Sequence, residues 1–262
     1  MLRALDASKS GMMAMQDKLD AISNNISNVN TNGYKRVDVS FQDLVYQTLN
    51  KKGYPVTAAA ANTSLEGLGV RATQLLRDNS QGELNNTGVA TDIAVDGQGY
   101  FAVKLNDGST GYTRTGEFTT DGNGDIVDKS GNRLTINLTA QGKQAVTAAG
   151  GFTQNNFKVA PDGTVTLQQN GTSTKVGNID LYDAVGDNSM VSAGGNLYVP
   201  KPGTTMYKVK NPNMLQGFTE NSNVDISTEM TEMIMTQRAF DMSSSAIKNS
   251  DEMWGLINNM RK

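Results

Sequence analysis

LRALDASKSGMMAMQDKLDAISNNISNVN, residues Leu2–Asn30, carries two interleaved sevenfold ladders. Leu5, Met12, Leu19 and Ile26 form one, and Ser8, Met15, Ile22 and Val29 follow three residues behind. Only Ser8 interrupts the apolar pattern. The spacing is therefore an a/d seam over about four heptads, as expected of a helix packed along another helix. The same pattern closes the chain. Ile226, Met233, Phe240, Ile247 and Trp254 form a further sevenfold ladder, flanked by Ala239, Ala246, Met253 and Met260. Long amphipathic helices are expected at both ends with nothing helical clearly marked between them. The expectation is a chain folded back on itself, its termini forming a coiled coil alone or with neighbouring subunits.

Composition excludes more than it proposes. In 262 residues there are 23 basic and 26 acidic side chains, so no electrostatic footprint for nucleic acid or an anionic membrane is present. Cysteine and histidine are both absent, which removes disulfides, thiolate and imidazole metal sites, and every catalytic scheme built on either residue. No cofactor is implied. Charges at Arg3, Asp6, Lys9, Asp17, Lys18 and Asp20 break up the first twenty residues, so no secretory signal core is seen, and no stretch is apolar enough to span a bilayer. That suits a cytosolic protein and equally one exported by a route needing no cleaved signal.

Three zones differ in texture. The first helix is expected from about Ala4 to Asn28, followed by the polar string through Lys35 in which Gly33 can take the left-handed conformation that stops a helix. Residues from about 36 to 84 read as extended or irregular, with a turn at Gly53–Pro55 and a small polar patch, AAAANTS, at Ala58–Ser64. From about Leu84 to Pro200 the period becomes two. Turn pairs at Asp107-Gly108, Asp121-Gly122, Gly124-Asp125 and Asp162-Gly163 each precede a short β-prone run, the pattern of an all-β domain of hairpins. Asp225 is placed to cap the last helix, with Glu229 and Glu232 in its opening turns. The fold class is α+β, with residues 1–32 and 222–262 as a helical coiled-coil domain, 33–84 and 201–221 as an extended connection, and 85–200 as the β domain.

Local motifs reduce to plain readings. DGNGDIVD at Asp121–Asp128 imitates the start of a calcium loop, but Ile126 stands where glycine is needed and Asn132 where the bidentate glutamate belongs, so it reads as a hairpin turn. DGQGYF at Asp96–Phe101 lacks the third glycine and following helix of a phosphate loop. Asp92, Asp96, Glu117, Asp121 and Asp125 could pair as glycosidase carboxylates, yet most sit in Asp-Gly turns and no aromatic cluster accompanies them. An enzyme is not expected. Met230, Met233, Met235, Met242, Met253 and Met260 crowd the last helix; Met235 and Met242 project away from its ladder and suit a surface that repacks against partners.

ISNNISNVNTNGYKR at Ile22–Arg36, following the heptad helix, resembles the N-terminal signature of the bacterial flagellar rod and hook proteins. Its signature positions here are Asn24, Asn25, Asn28, Asn30, Thr31, Gly33, Tyr34 and Lys35. FQDLVYQTL (Phe41–Leu49), GLGVRATQ (Gly67–Gln74), QGELNNTGVATDIAVDGQGYFAV (Gln81–Val103) and YTRTGEFTTDGNGDIVD (Tyr112–Asp128) are similar to that family's central blocks, in order. The run from Gly217 to Met253 resembles its C-terminal signature. Within the family, the length and the sequence after Tyr46 look most like the distal rod subunit; a proximal rod or short hook-type axial protein is the alternative, and the stretch from about Asn50 to Gly69 departs most from the distal pattern. The resemblance implies a helical tube of identical subunits, with terminal helices as the inner coiled-coil layer around an export channel and the β domain outside. It also implies secretion through the flagellar export apparatus, contacts with neighbouring rod and hook proteins and with surrounding rings, and a mechanical role as a drive shaft in the extracytoplasmic basal body. Nucleic acid and membrane insertion have no place in it. Outside the family, a ligand-binding module oligomerised by its helices is disfavoured by the lack of an aromatic or charged cluster in the middle zone.

Overall fold

Apolar residues recurring at helical spacing at the two ends, and at strand spacing between them, produce two compact units in the computed structural model of the protein. It describes residues 2–44, 47–48, 65–66, 69–169, 171–186 and 189–260. The expected turn at Gly53–Pro55 and the alanine-rich patch at Ala58–Ser64 lie outside these residues. One unit comprises Met1–Ser27, Val37–Leu76 and Asp225–Lys262; the other comprises Asn28–Arg36 and Arg77–Val224.

The first unit is built on helix α1 (Leu2–Ser27) and a 35-residue C-terminal helix, Ile226–Met260. The fold is α+β, and the N- and C-terminal helices pack together as the ladders predict. They run antiparallel: Asn25 meets Glu229, Lys18 meets Glu232, and Gly11 lies beside Ser243. Asp225 caps the second of them, accepting from the backbone N–H groups of Ser227 at 2.7 Å and Thr228 at 3.1 Å. A two-stranded ladder of Val37–Asp43 with Val70–Arg77 completes the described part of this unit, with a shorter pair at Gln47–Thr48 and Leu65–Glu66.

The second unit is antiparallel β. A nine-stranded sheet runs Met190–Gly194, Leu197–Pro200, Thr110–Thr113, Tyr100–Lys104, Arg133–Leu134, Ile126–Val127 and Thr119–Thr120, with Leu181–Ala184 attached at Tyr100–Lys104 and Met206–Lys208 paired to Leu181–Ala184. A four-stranded sheet runs Ile136–Leu138, Thr172–Ile179, Thr164–Gln169 and Phe157–Val159. Strand alternation fills the main core: Val165 and Leu167 point inward while Thr164 and Thr166 lie between core and solvent. Phe101, Phe118, Phe157, Ile179, Leu181 and Met214 are fully buried there. Tyr100–Lys104 is buried on both faces, Phe101 and Val103 facing this core and Tyr100 a smaller cluster with Met190 and Tyr198. The turns at Asp107-Gly108 and Asp162-Gly163 close with Gly108 and Gly163 at positive φ, whereas in the turn from Asp121 the left-handed residue is Gly124 and not Gly122.

Two details differ from the sequence reading. A nine-residue helix, α2 (Ala140–Ala148), interrupts the β zone, capped by Thr139, whose hydroxyl accepts from the Gly142 N–H at 3.1 Å. Its AQGKQAVTA sequence holds alanines and long unbranched side chains and no aspartate or proline, which favours helix once a cap is supplied. Gly142 packs against the backbone of Val176 so closely that a Cβ would lie 1.9 Å from its carbonyl oxygen, so the helix is docked on the strand beneath it. The other difference is Gly33. Its φ of +71° is left-handed, but α1 has already ended at Ser27, and the conformation serves a later contact described below. The C-terminal helix is labelled α3 hereafter.

Candidate functional site: a helix pair and a buried clasp

In the helix pair, the buried positions are small or polar apart from Ile22. Ala14, Ala21, Ile22 and Asn25 are buried on α1, and Glu229 and Thr236 on α3. Small side chains let helix backbones approach closely. The bulkier ladder residues Leu5, Met12, Met15, Leu19 and Ile26 on α1, with Met233, Phe240 and Ile247 on α3, are half-buried. Val29 is half-buried too, beyond the end of α1. Ile226 and Trp254 are exposed. The structure thus brings most of the two ladders onto one pair of helices and leaves much apolar surface uncovered, adding Met230, Ile234, Met235, Met242, Leu256 and Met260 to it.

Among the signature residues, Asn25 fixes the exit from α1. Its amide nitrogen donates to the Val37 carbonyl at 2.9 Å and to the Glu229 carboxylate at 3.1 Å, while its carbonyl oxygen accepts from the Val37 N–H at 2.9 Å. A buried amide satisfied on three sides joins helix, strand and second helix within this unit. Asn24 and Asn30 are exposed. Asn28 and Thr31 form a turn, the Thr31 N–H donating to the Asn28 carbonyl at 3.0 Å.

The remaining signature residues belong to the β unit and form a strap, Asn28–Arg36, clasped onto it. Gly33 N–H donates to the Glu220 carbonyl at 2.7 Å, and a Cβ at Gly33 would lie 2.7 Å from the Thr115 backbone nitrogen. Only glycine fits both that approach and the left-handed backbone. Asn32 donates to Glu117 at 2.8 Å, and its carbonyl accepts from Asn196 at 3.1 Å and Thr115 at 3.2 Å. Tyr34 is buried. Lys35 enters the β unit, donating to a Glu220 carboxylate oxygen at 2.6 Å and to the Ser80 carbonyl at 2.7 Å. Gly82 N–H donates to that same carboxylate oxygen at 2.9 Å, and the other Glu220 oxygen takes Arg114 Nε at 2.6 Å. Arg114 also donates to the carbonyls of Val95, Gly97 and Gly99.

Lys35, Arg114 and Glu220 are all at most 4% exposed, so one carboxylate serves two buried cations. Burial pulls the Lys35 ammonium below its usual range, against the raising effect of its contact with Glu220. Burial pushes the Glu220 carboxyl upward, but the Arg114 charge and the Lys35 and Arg114 hydrogen bonds outweigh it and hold the group below the ordinary carboxylate range. The arrangement is a lock. A cation, a carboxylate and a guanidinium are each held by several protein partners. The sequence reading singled out Lys35 but neither Arg114 nor Glu220; the one available signal was a charged residue inside a short β-prone run.

The carboxylates weighed for catalysis are dispersed among structural partners. Asp92 accepts from Thr87 at 2.6 Å and its carboxyl is raised by burial. Glu117 holds Asn32 and Lys129, Asp96 accepts from Asn213, Asp125 pairs with Arg133, and Asp121 closes the Asp121–Gly124 turn. Among the described residues, no group of three acidic side chains could hold a metal ion. An aromatic cluster does exist, which the sequence reading did not foresee. Tyr100 and Tyr198 meet edge-to-face at 5.6 Å, Tyr112 and Tyr182 at 5.9 Å, and Arg77 lies over the Tyr198 ring at 4.1 Å. Tyr100 and Tyr112 lie on the two strands of one hairpin and Tyr182 and Tyr198 on later strands, so the fold and no single local string assembles them. A lack of aromatic residues in the middle zone therefore no longer counts against a binding module.

A helix pair joining the two ends of the chain, an uncovered apolar stripe along it and a clasped strap with no reactive group define a structural, assembly-forming protein. Family models agree along the chain: flagella basal body rod protein at residues 5–35, flagellar hook protein FlgE/F/G D1 domain at 94–167, and flagellar basal body rod FlgEFG protein C-terminal at 215–260. Relatives match end to end. The flagellar basal-body rod protein FlgG of Borreliella burgdorferi is 33% identical over 274 residues, covering 100% of both chains. That of Bacillus subtilis is 34% identical over 271 residues, also covering 100% of both, and that of Buchnera aphidicola subsp. Schizaphis graminum is 35% identical over 266 residues, covering 97% of each. The chain belongs to the flagellar basal-body rod protein family, and it is a structural subunit of the distal rod. No described helix is long and apolar enough to cross a membrane.

Proposed function

We propose that the protein polymerises with itself into the wall of a helical tube, with α1 and α3 lining an export channel, and that this tube transmits torque from motor to hook. Neighbouring rod and hook subunits cap its two ends, and ring proteins surround it. The subunit reaches the site through the flagellar export apparatus. The observation that carries this reading is the uncovered apolar surface on the helix pair, where Ile226, Met230, Ile234, Met235 and Met242 are each about half exposed or more. Large apolar side chains exposed along one helix mark a partner surface. A contact between different faces of identical copies that does not close on itself generates a filament. The β unit supports the mechanical role, since its clasp ties the strap to the sheet through several buried charge-assisted hydrogen bonds.

Electron microscopy of basal bodies from a strain lacking this chain tests the reading. Rods that stop short of their normal length, with no hook attached, are expected, and full rods with the hook alone missing would assign the protein to the hook instead.

A further inference from the structure

Asparagine ahead of glycine is chemically labile, because the following residue has no Cβ to keep its nitrogen away from the asparagine side chain. The chain has three such pairs, Asn32-Gly33, Asn123-Gly124 and Asn170-Gly171. In the reaction the glycine nitrogen attacks Cγ of the asparagine. A C–N bond forms, the Cγ–Nδ2 bond breaks, and ammonia leaves with the proton that the backbone amide gives up. Water then opens the five-membered imide at either carbonyl, leaving aspartate or isoaspartate.

Asn32-Gly33 sits within the clasped strap, and the peptide group between the two residues is the one that must attack. It is held on both sides. Its carbonyl oxygen accepts from Asn196 at 3.1 Å and Thr115 at 3.2 Å, and its N–H donates to the Glu220 carbonyl at 2.7 Å. The group under attack is held as well, since Asn32 Nδ2 donates to Glu117 at 2.8 Å. Gly33 is buried, its backbone packed on that of Thr115. Closing the imide ring turns this peptide plane and removes its proton, so the strap must open first. Gly171 has different surroundings: it is exposed between the paired strands Thr164–Gln169 and Thr172–Ile179, with open space around it.

The product does not fit the place that protects the asparagine. Aspartate at position 32 sets a carboxylate against Glu117 where an amide donor stood. Asp92 is already within electrostatic reach of Glu117, and Lys129 is the cation beside them. Isoaspartate adds a backbone atom and moves Gly33 off both Thr115 and Glu220.

We propose that Asn32-Gly33 is a deamidation site latched shut by the clasp. A folded chain keeps Asn32, and a chain that lingers unfolded acquires a charge there that stops the strap from closing. The proposal does not rest on the rod reading and applies to the isolated subunit. Purified full-length chain, incubated at mildly alkaline pH folded or in urea, tests it by peptide mapping of aspartate and isoaspartate at each pair over time. Asn32 in the folded chain is expected to convert at least about tenfold more slowly than in urea, because the strap must open locally, while Asn170 slows far less. Glu220→Gln should speed conversion of Asn32 several-fold and leave Asn170 unchanged. If that variant does not fold, Thr115→Val replaces it, taking one bond from the pinned carbonyl and sparing the ion cluster. Equal Asn32 rates in the folded chain and in urea, or no acceleration in the folded variant, would overturn the latch. Trypsin, which cuts after Lys35 and Arg36 once the strap is loose, reads the consequence. Asn32→Asp should be cut there faster than the unmodified chain, and Asn32→Asp combined with Glu117→Gln, which restores a donor opposite the carboxylate, should resist again. An Asn32→Asp chain as resistant as the unmodified one, or a double variant cut as fast as Asn32→Asp, would overturn the claim that the new charge bars the strap.

Discussion

Glu220 accepts from two buried cations and one backbone N–H, so Glu220→Gln should be the most damaging single change to the clasp. Glutamine keeps the volume but removes the carboxylate that pairs directly with both Lys35 and Arg114, and turns an amide N–H₂ toward one of them. Breaking a buried ion pair from one side costs about 3–5 kcal/mol. Lys35→Met is different in kind. It deletes the surplus cation, leaves the Arg114–Glu220 pair intact with Gly82, and takes one of two donors from the Ser80 carbonyl, which keeps Asn223, so the loss is that of a hydrogen bond to a charged group, about 1.5–3 kcal/mol. Against a total of about 5–15 kcal/mol for a folded domain, the first change removes a large share of stability and the second a modest one. Urea unfolding at neutral pH, followed by the near-ultraviolet dichroism of the tyrosines, measures both. The double variant should recover part of the Glu220→Gln loss, since one orphaned cation is gone. The loss should also resemble what acid does. A carboxyl held below its ordinary value contributes stability that is present above about 4.5 and lost as pH falls below that through its depressed value. Lys35→Met costing as much as Glu220→Gln, or Glu220→Gln costing less than about 1 kcal/mol, would refute the reasoning.

Tyr100 is pushed up to about 12, first by burial, so ultraviolet titration should show one tyrosine ionising well after the exposed ones; because its folded value is raised, its contribution is intact below about 10 and lost as pH climbs toward 12, and a titration complete by pH 11 would contradict the buried aromatic cluster. Leu19→Asp or Phe240→Asp should abolish incorporation into rods while leaving the tyrosine dichroism of the β unit unchanged, since a carboxylate set in an apolar contact costs several kcal/mol; normal swimming in either strain would count against an assembly seam there. Single Asp92→Asn, Asp96→Asn, Glu117→Gln, Asp121→Asn and Asp125→Asn changes should each move stability by about 1 kcal/mol or less and leave motility intact, and loss of motility with fold and assembly preserved would reveal chemistry in the β unit.

The helices were legible because a sevenfold ladder survives in a linear string: Leu5 to Ile26 and Ile226 to Trp254 declare their shared stripe without reference to any partner. The hairpins were legible for a similar reason, since Asp-Gly turns are local chemistry. Short helix α2 was missed because its hydrophobic period spans barely two turns and its decisive feature is a single cap at Thr139. Gly33 was recognised as a left-handed position but assigned to a helix end, because sequence shows the backbone preference and not the Thr115 backbone that approaches it. The clasp was half visible. Lys35 stood in a recognisable string, whereas Glu220 and Arg114 are 185 and 79 residues away along the chain, and only the folded sheet brings them to it. The tyrosine cluster was invisible for the same reason. The helix seam shows a subtler limit: the apolar ladders marked the right helices and the ladder residue Ile22 is buried, but the other most buried places went to Ala14, Asn25, Glu229 and Thr236, which no hydrophobicity pattern selects.

The claim that matters most is that α1 and α3 form the wall of a polymer. A side-chain-resolution electron cryomicroscopy map of isolated rods, with this chain identified by its sequence, tests it directly. The account predicts both helices lining the bore, with Ile226, Met230, Met242 and Trp254 covered by neighbouring copies. Helices left facing bulk solvent on the rod exterior, with those four side chains uncovered, would contradict it.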